Sequence, residues 1–546
     1  MKKLLLTIIL VWAGASAWAQ NMYDALRFSE NNYTGTARTM AMGNAFTALG
    51  GDLGATTINP AGSAVAKYSQ ISVTPALSIS SCTAVGTVLD GYSKPFGFET
   101  AMRTTDTGIK MPNIGISFNI NTHRSRGVKN ISLGFISSVE NDFSSDIYAK
   151  GTNESTSIAG ALASWAVYQD GNLINPDDLW TGAQRDPYSS FPWDLVAGYN
   201  GGLFDALTYT DDFGETWLVG HVGVTENIKD NGDGNFEIDL GGPISQNYGR
   251  TRRGSKRNSI FNFAMNISDV LYLGANLTVT SISYGEDWYI KEEASELDYL
   301  FQTGFKSLRL TQGKTVNGSG VSGKFGFIVT PGLGLRIGAA IETPSVLALR
   351  ESYWYDAETK STIKDYNLSE SSPTGEFKYR LVSPMKFNAG IAWTFGQLGV
   401  ISVDYELADS RSMFYKNIET NDLSEFNDIN ESIRTNLGLS HNFRLGFEIK
   451  PINSLALRAG YGLGMSPEKI LKENSMKYVG AYRHDVSFGI GYDSLRSFFF
   501  DFACRGRFFP KEYITPYTYN YDGIITPEIT SKQSVWTIAV TAGFRF

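Results

Sequence analysis

The sequence predicts an all-β transmembrane protein, an antiparallel β-barrel of about 14 strands. Three observations carry that prediction. Apolar and polar residues alternate at period 2 in many separate segments. No apolar run of about 18 residues, the length a membrane helix needs, follows the extreme N-terminus. The chain also ends on an alternating segment whose last residue, Phe546, is aromatic.

In that last segment Trp536, Ile538, Val540, Ala542, Phe544 and Phe546 share one face, opposite Thr537, Ala539, Thr541, Gly543 and Arg545. The pattern recurs over Val486–Tyr492, Leu455–Leu463, Leu333–Ala339, Leu271–Val279, Ile401–Tyr405 and Ile114–Ile120. Such strands suit a soluble sandwich, with the apolar face inward, and equally a membrane barrel, with that face toward lipid. Three further features favour the barrel. Aromatics sit near strand ends at Tyr405, Tyr461, Tyr492 and Phe546, as interfacial girdles require. A terminal strand can close on the first and leave no unpaired edge in lipid. Tight connections at Thr330–Gly332 and Lys450–Ser454 alternate with long polar ones at 409–433, 465–483 and 509–533, the asymmetry of short periplasmic turns and long outer loops.

Composition agrees. Aromatic residues make up 13% and there are 56 glycines, which suits strands and tight turns. The mean hydropathy of −0.16 is too polar for a helical membrane protein. The net charge of −8, with no basic cluster to offset it, argues against a nucleic-acid partner. Cys82 and Cys504 cannot form a disulfide framework and read as two unrelated thiols.

Lys2 and Lys3 precede the apolar run Leu4–Trp12, and Ala17-Trp18-Ala19 supplies a small-x-small cleavage site. Residues 1–19 therefore read as a secretory signal peptide, with Gln20 the first mature residue and no Cys there for a lipid. Export and a barrel together place the protein in a Gram-negative outer membrane. Residues 20–66 are rich in Ala and Gly without alternation, and 67–546 form the barrel with its loops. Within it, 150–255 is a long aromatic and acidic insertion, containing Trp165, Trp180, Trp193 and Trp217, read as outer loop over the mouth.

Motifs for catalysis and cofactors fail on context. Gly318–Gly323 matches G-x-G-x-x-G, but Lys324-Phe325-Gly326-Phe327 begins another strand where a dinucleotide site needs a helix. Gly313-Lys314-Thr315 lacks the earlier glycine of a phosphate loop, because Leu308 stands there. Asp230–Asn235 hints at a calcium loop, yet Phe236 and Gly242 occupy the positions that need Gly and Glu. His123, His221, His441 and His484 have no ligand spacing, and His441-Asn442 lacks an identifiable serine nucleophile. The expectation is a non-enzyme without cofactor or metal.

The most specific stretch runs from Arg38-Thr39-Met40-Ala41-Met42-Gly43-Asn44-Ala45 through Gly50-Gly51-Asp52 to Asn59-Pro60-Ala61-Gly62. It resembles the N-terminal hatch of the FadL/TodX (OmpP1) family of outer-membrane transporters, with its Asn-Pro-Ala motif after a Gly/Ala-rich run. Lys324–Phe327, Pro331, Leu335–Ala340, Thr343-Pro344, Ser383-Pro384 and Asp404-Tyr405-Glu406 resemble further family blocks. The resemblance implies a fourteen-stranded barrel plugged by the hatch, which passes long-chain fatty acids or similar apolar compounds without energy coupling. Capture at the mouth, hatch rearrangement and sideways release into the bilayer are the implied steps. The hatch motif is Asn59, Pro60, Ala61 and Gly62 with Gly50 and Gly51: Asn59 satisfies backbone groups in a buried turn, Pro60 fixes φ, and the glycines permit bends. The expected partners are a hydrophobic small molecule and outer-membrane lipid. The alternative is a FadL-like barrel that serves a secretion system by binding a protein at its outer loops. The insertion has no family counterpart.

Overall fold

An alternating strand exposes one face and buries the other, so the side-chain exposures decide between sandwich and barrel. The computed structural model describes residues 21–89, 91–168, 170–182, 186–232, 235–295, 300–472, 475–494 and 497–546. The expected signal peptide lies outside the described residues, as does part of the calcium-like loop at 230–235.

Fourteen antiparallel strands close a cylinder. They are β1 (Gln70–Gly86), β2 (Met102–Asn121), β3 (Val128–Asp142, resuming as Ser145–Asn153), β4 (Ile244–Ile267) and β5 (Leu271–Ala294). Next come β6 (Phe305–Gly332), β7 (Leu335–Glu342, resuming as Val346–Ser361), β8 (Gly375–Val382, resuming as Lys386–Thr394) and β9 (Gly399–Asp409, resuming as Phe414–Asn417). The last are β10 (Leu439–Ile452), β11 (Leu455–Met465), β12 (Tyr482–Asp493), β13 (Phe498–Phe508) and β14 (Ile529–Arg545). β1 pairs with β14 from Gln70 opposite Arg545 to Gly86 opposite Ile529, so no sheet edge remains there for lipid to solvate.

The apolar faces point outward. Phe118, Leu277, Ile391, Val403, Phe488 and Val540 are exposed, while Asn276, Asp404, Arg458, Ser487 and Thr541 are buried inside the barrel. That is the reverse of a sandwich and is what lipid demands. Aromatics mark both rims of this belt. Tyr405 and Tyr461 hydrogen-bond His441 and His484 through Nδ1 at 2.7 and 2.8 Å on one side. Phe118, Phe498, Phe544 and Phe546 cluster at the other, beside the chain end.

The insertion is shorter than its composition suggests. Residues 150–153 and 244–255 are barrel strand, so only 154–243 lie outside the wall. The stretch Ser245–Ser259 carries no apolar alternation, because this outer half of β4 faces neither lipid nor an apolar core on one consistent side. The true insertion folds into α4 (Ile158–Trp165), α5 (Pro176–Leu179), α6 (Trp193–Asn200) and two hairpins, Phe204–Thr210 with Thr216–Gly223 and Glu226–Asp230 with Phe236–Leu240. Leu162, Ala163, Leu195, Val196 and Phe204 from this cap pack with inward residues at the strands' outer ends, among them Ile147, Tyr248, Ile290, Leu308 and Ile529. α7 (Asn427–Asn436) covers a neighbouring part of the mouth.

Candidate functional site: plug, cavity and wall gap

The N-terminal segment lies inside the barrel. It forms α1 (Met22–Ser29), α2 (Ala37–Ala41), α3 (Ala55–Ile58) and a 3-10 turn over Pro60–Val65. Asn21 and Thr36 cap the first two helices by accepting from the N–H groups of Asp24 and Thr39. A segment packed against a polar wall must be held by polar contacts, and it is. Arg38 donates to Glu448 at 3.0 and 3.2 Å, and Arg458 bridges Glu448 to Asp501. Lys314 meets Asp24 at 2.8 Å, Asp404 accepts from the Thr47 N–H at 2.7 Å, and Asn276 donates to the Thr56 carbonyl at 2.8 Å.

Asn59, Pro60, Ala61 and Gly62 come together with Gly50 and Gly51. The Asn59 amide donates to the carbonyls of Thr47 at 2.7 Å and Phe327 at 3.0 Å, while its oxygen accepts from the Ala61 N–H at 3.1 Å. Gly51 donates its N–H to the Gly62 carbonyl at 2.8 Å. Gly50 and Gly51 hold φ of 63° and 75°, but Gly62 has no positive φ. Its role is close approach: a Cβ on Gly62 would meet the Gly50 Cα at 3.0 Å. The wall matches from its own side, since a Cβ on Gly326 would lie 2.2 Å from Asn59 Oδ1.

A cavity of about 890 Å³ lies elsewhere, between α1 and the barrel wall. Asp24, Arg27 and Glu30 of the plug line it with Arg250, Arg252, Glu286, Lys314, Arg483, Arg505, Arg507 and Glu512 of the wall and loops. Leu26, Met111, Phe143, Ile514 and Val535 add an apolar share. Asn59–Gly62 do not line it. Arg250 pairs with Glu512 at 2.7 Å and Arg507 with Asp485 at 3.0 Å, so the charges are largely paired along the wall.

The cavity reaches a break in the wall that sequence reasoning did not locate. β2 pairs with β1 from Met102 to Ser117, but its ladder with β3 stops at Asn113 opposite Ser138. β3 breaks at Phe143-Ser144, and Ser144 then accepts through its carbonyl from Gln533 of β14 at 3.1 Å. Its outer part therefore runs inside β1 and β2. Residues 102–112 are left without a ladder on that side. Lys110 spans the gap to Asp142 at 3.3 Å and Ser144 at 3.1 Å, and Arg257 donates to the Met111 carbonyl at 3.2 Å. The available signal was Pro112, which lacks the N–H a central strand would donate and stands where pairing ends.

Cys82 and Cys504 are both free thiols. Among the described residues no group of three or more His, Cys, Asp or Glu side chains is placed to hold a metal.

No family model and no curated protein matches this chain. Among solved structures it aligns with a Pseudomonas aeruginosa FadL homologue at 10% identity and a TM-score of 0.50, over 95% of this chain and all of the other. The chain has the FadL fold. The Pseudomonas putida toluene transporter TodX aligns at 13% identity and a TM-score of 0.49, over 94% of this chain and 99% of that one. At 10% identity the fold alone is what the FadL homologue shares with this chain.

Proposed function

We propose that this protein is a passive outer-membrane channel for hydrophobic small molecules, long-chain fatty acids or similar apolar compounds, and that they leave sideways between β2 and β3. The single observation that carries the reading is the wall gap, because the cavity opens along it at Asp106, Gly108, Lys110 and Met111. An apolar solute leaving there enters the acyl chains directly and keeps the roughly 0.8 kcal/mol per buried CH₂ that exposure to water would forfeit. The mixed lining of the cavity favours a compound with an apolar body and one polar group. Asn59–Gly62 serve as the hatch anchor in this reading, and α1 is the part of the plug a ligand touches. Mass spectrometry of solvent extracts from gently purified protein tests it, with a variant lacking 20–66 as comparison. Apolar molecules held by the wild type and lost from the variant are expected; their absence from the wild type contradicts the reading.

A second reading is a FadL-like barrel that binds a protein for a secretion system. It is favoured by the full burial of Asn59 and Ala61 in the hatch motif and by the cap, whose apolar core closes over the mouth. Recovery of a partner protein, with no small molecule in the extract, supports it.

A further inference from the structure

The cap meets the barrel at two carboxylates that face no cation among the described residues. Glu292 stands at the outer end of β5, well past Val279, the last apolar residue that this strand exposes to lipid. It is fully buried. Its Oε1 accepts from the Ile158 N–H at 2.9 Å and from Gln246 at 2.7 Å, and its Oε2 has no partner. Glu226, in the cap, accepts from the Gly223 N–H at 2.7 Å and lies against α4, where a Cβ on Gly160 would meet its Oε1 at 2.0 Å.

The surroundings come from five elements. α4 offers the Ile158 N–H and Gly160, β4 offers Gln246, β6 offers Leu308 opposite Glu292, and the 515–519 loop offers Tyr517 and Tyr519. On β5 itself Lys291 is paired with Glu293 at 2.7 Å, and Arg309 of β6 stacks on Tyr289 at 4.1 Å, all on the opposite face. The apolar residues Ile158, Ala159, Ile244, Ile290 and Leu308 complete the shell. Two ionised carboxylates here would be desolvated, uncompensated and mutually repulsive, so the neutral forms are favoured. Burial pushes Glu226 up to about 7, and burial with the nearby Glu226 pushes Glu292 up to about 8. The N–H at the start of α4 and Gln246 favour charge on one oxygen only.

We propose that protonated Glu226 and Glu292 latch the cap onto the barrel, and that loss of their protons loosens it, opening the mouth as pH rises through neutrality. The direction follows from linkage. A carboxyl whose docked pKa is raised binds protons on docking, so docking is strongest in acid. It weakens once the pH passes the free carboxyl value of about 4.3, and the full loss is reached above the docked values. The device concerns the cap alone and holds whichever cargo reading is correct.

Hydrogen exchange of the full-length protein in detergent micelles tests it between pH 6 and 9. The quantity is the exchange rate of the 158–165 amides divided by that of 427–436, so that intrinsic base catalysis cancels. A rise of at least about tenfold, the share of Glu226 alone, is expected in the wild type. The E226Q/E292Q variant is expected to stay flat and protected, and each single Gln variant to shift the midpoint. A flat wild-type ratio overturns the latch, even if the double variant fails to fold. An equal rise in a folded double variant overturns it too.

Discussion

The two halves of β5 obey opposite rules. From Leu271 to Thr280 the outward positions are apolar, with Leu273, Leu277 and Val279 exposed, while inward Asn276, Thr278 and Thr280 are buried. Beyond that point the same outward parity carries mostly polar residues, Ser281, Ser283, Asp287, Lys291 and Glu293 with Tyr289, and the inward parity carries Ile282, Tyr284, Trp288 and Ile290 beside the two carboxylates Glu286 and Glu292. The strand does not slip or bulge between them; its ladders with β4 and β6 run unbroken. What changes is the solvent. Below, lipid lies outside and a polar plug inside; above, water lies outside, with α1 packed inside at Ile282 and Tyr284 and the cap at Trp288 and Ile290. Polarity along one face of a strand therefore reports its surroundings at that height and not which side is the core.

Substitutions along this strand separate the two regimes. The largest effect is expected for Ile290→Asp, which buries an unpaired charge under the cap at a cost of about 3–5 kcal/mol. Urea titration in lipid vesicles, followed by cap proteolysis, should show the cap released while the barrel stays inserted. Leu277→Arg puts a charge on the lipid face and should cost about 2–4 kcal/mol of barrel stability, with the cap unaffected until the barrel unfolds. Asn59→Ala removes one amide that serves two carbonyls and an N–H, a loss of about 1–3 kcal/mol. It should appear as faster amide exchange confined to 47–62. Ser281→Ala, outward at the crossover between the regimes, should stay within about 0.5 kcal/mol. If Leu277→Arg and Ile290→Asp released the same region, the contrast between the halves would fail.

That contrast also explains what the sequence disclosed. The lower halves were legible because lipid imposes a strict alternation, as at Val486–Tyr492 and Trp536–Phe546, and the short turns beside Pro331 and Pro451 set the connectivity. The outer part of β4 up to Ser255 was read as insertion because Ser245–Ser255 offers no apolar period. The Asn59–Gly62 turn stood out through its own residue types. The cavity did not, because its lining is drawn from α1, β2, β4, β12 and β13, whose proximity only the closed barrel creates. The wall gap left one local mark, Pro112, and Gly62 showed that a glycine in a motif can serve contact and not φ.

Lateral exit needs the passage between β2 and β3, and Gly108 gives the most direct access to it. Gly108 lines the cavity at the gap, and a Cβ there would make only an ordinary contact, 3.5 Å from Lys110 Cε. Gly108→Trp should therefore obstruct the opening without disturbing the barrel. The decisive measurement is uptake of a labelled long-chain fatty acid by outer-membrane vesicles carrying wild type or Gly108→Trp at matched levels. A loss of about tenfold or more in the variant, with the ligand still co-purifying, is expected if the solute leaves between β2 and β3. Uptake equal to wild type would contradict lateral exit through this wall.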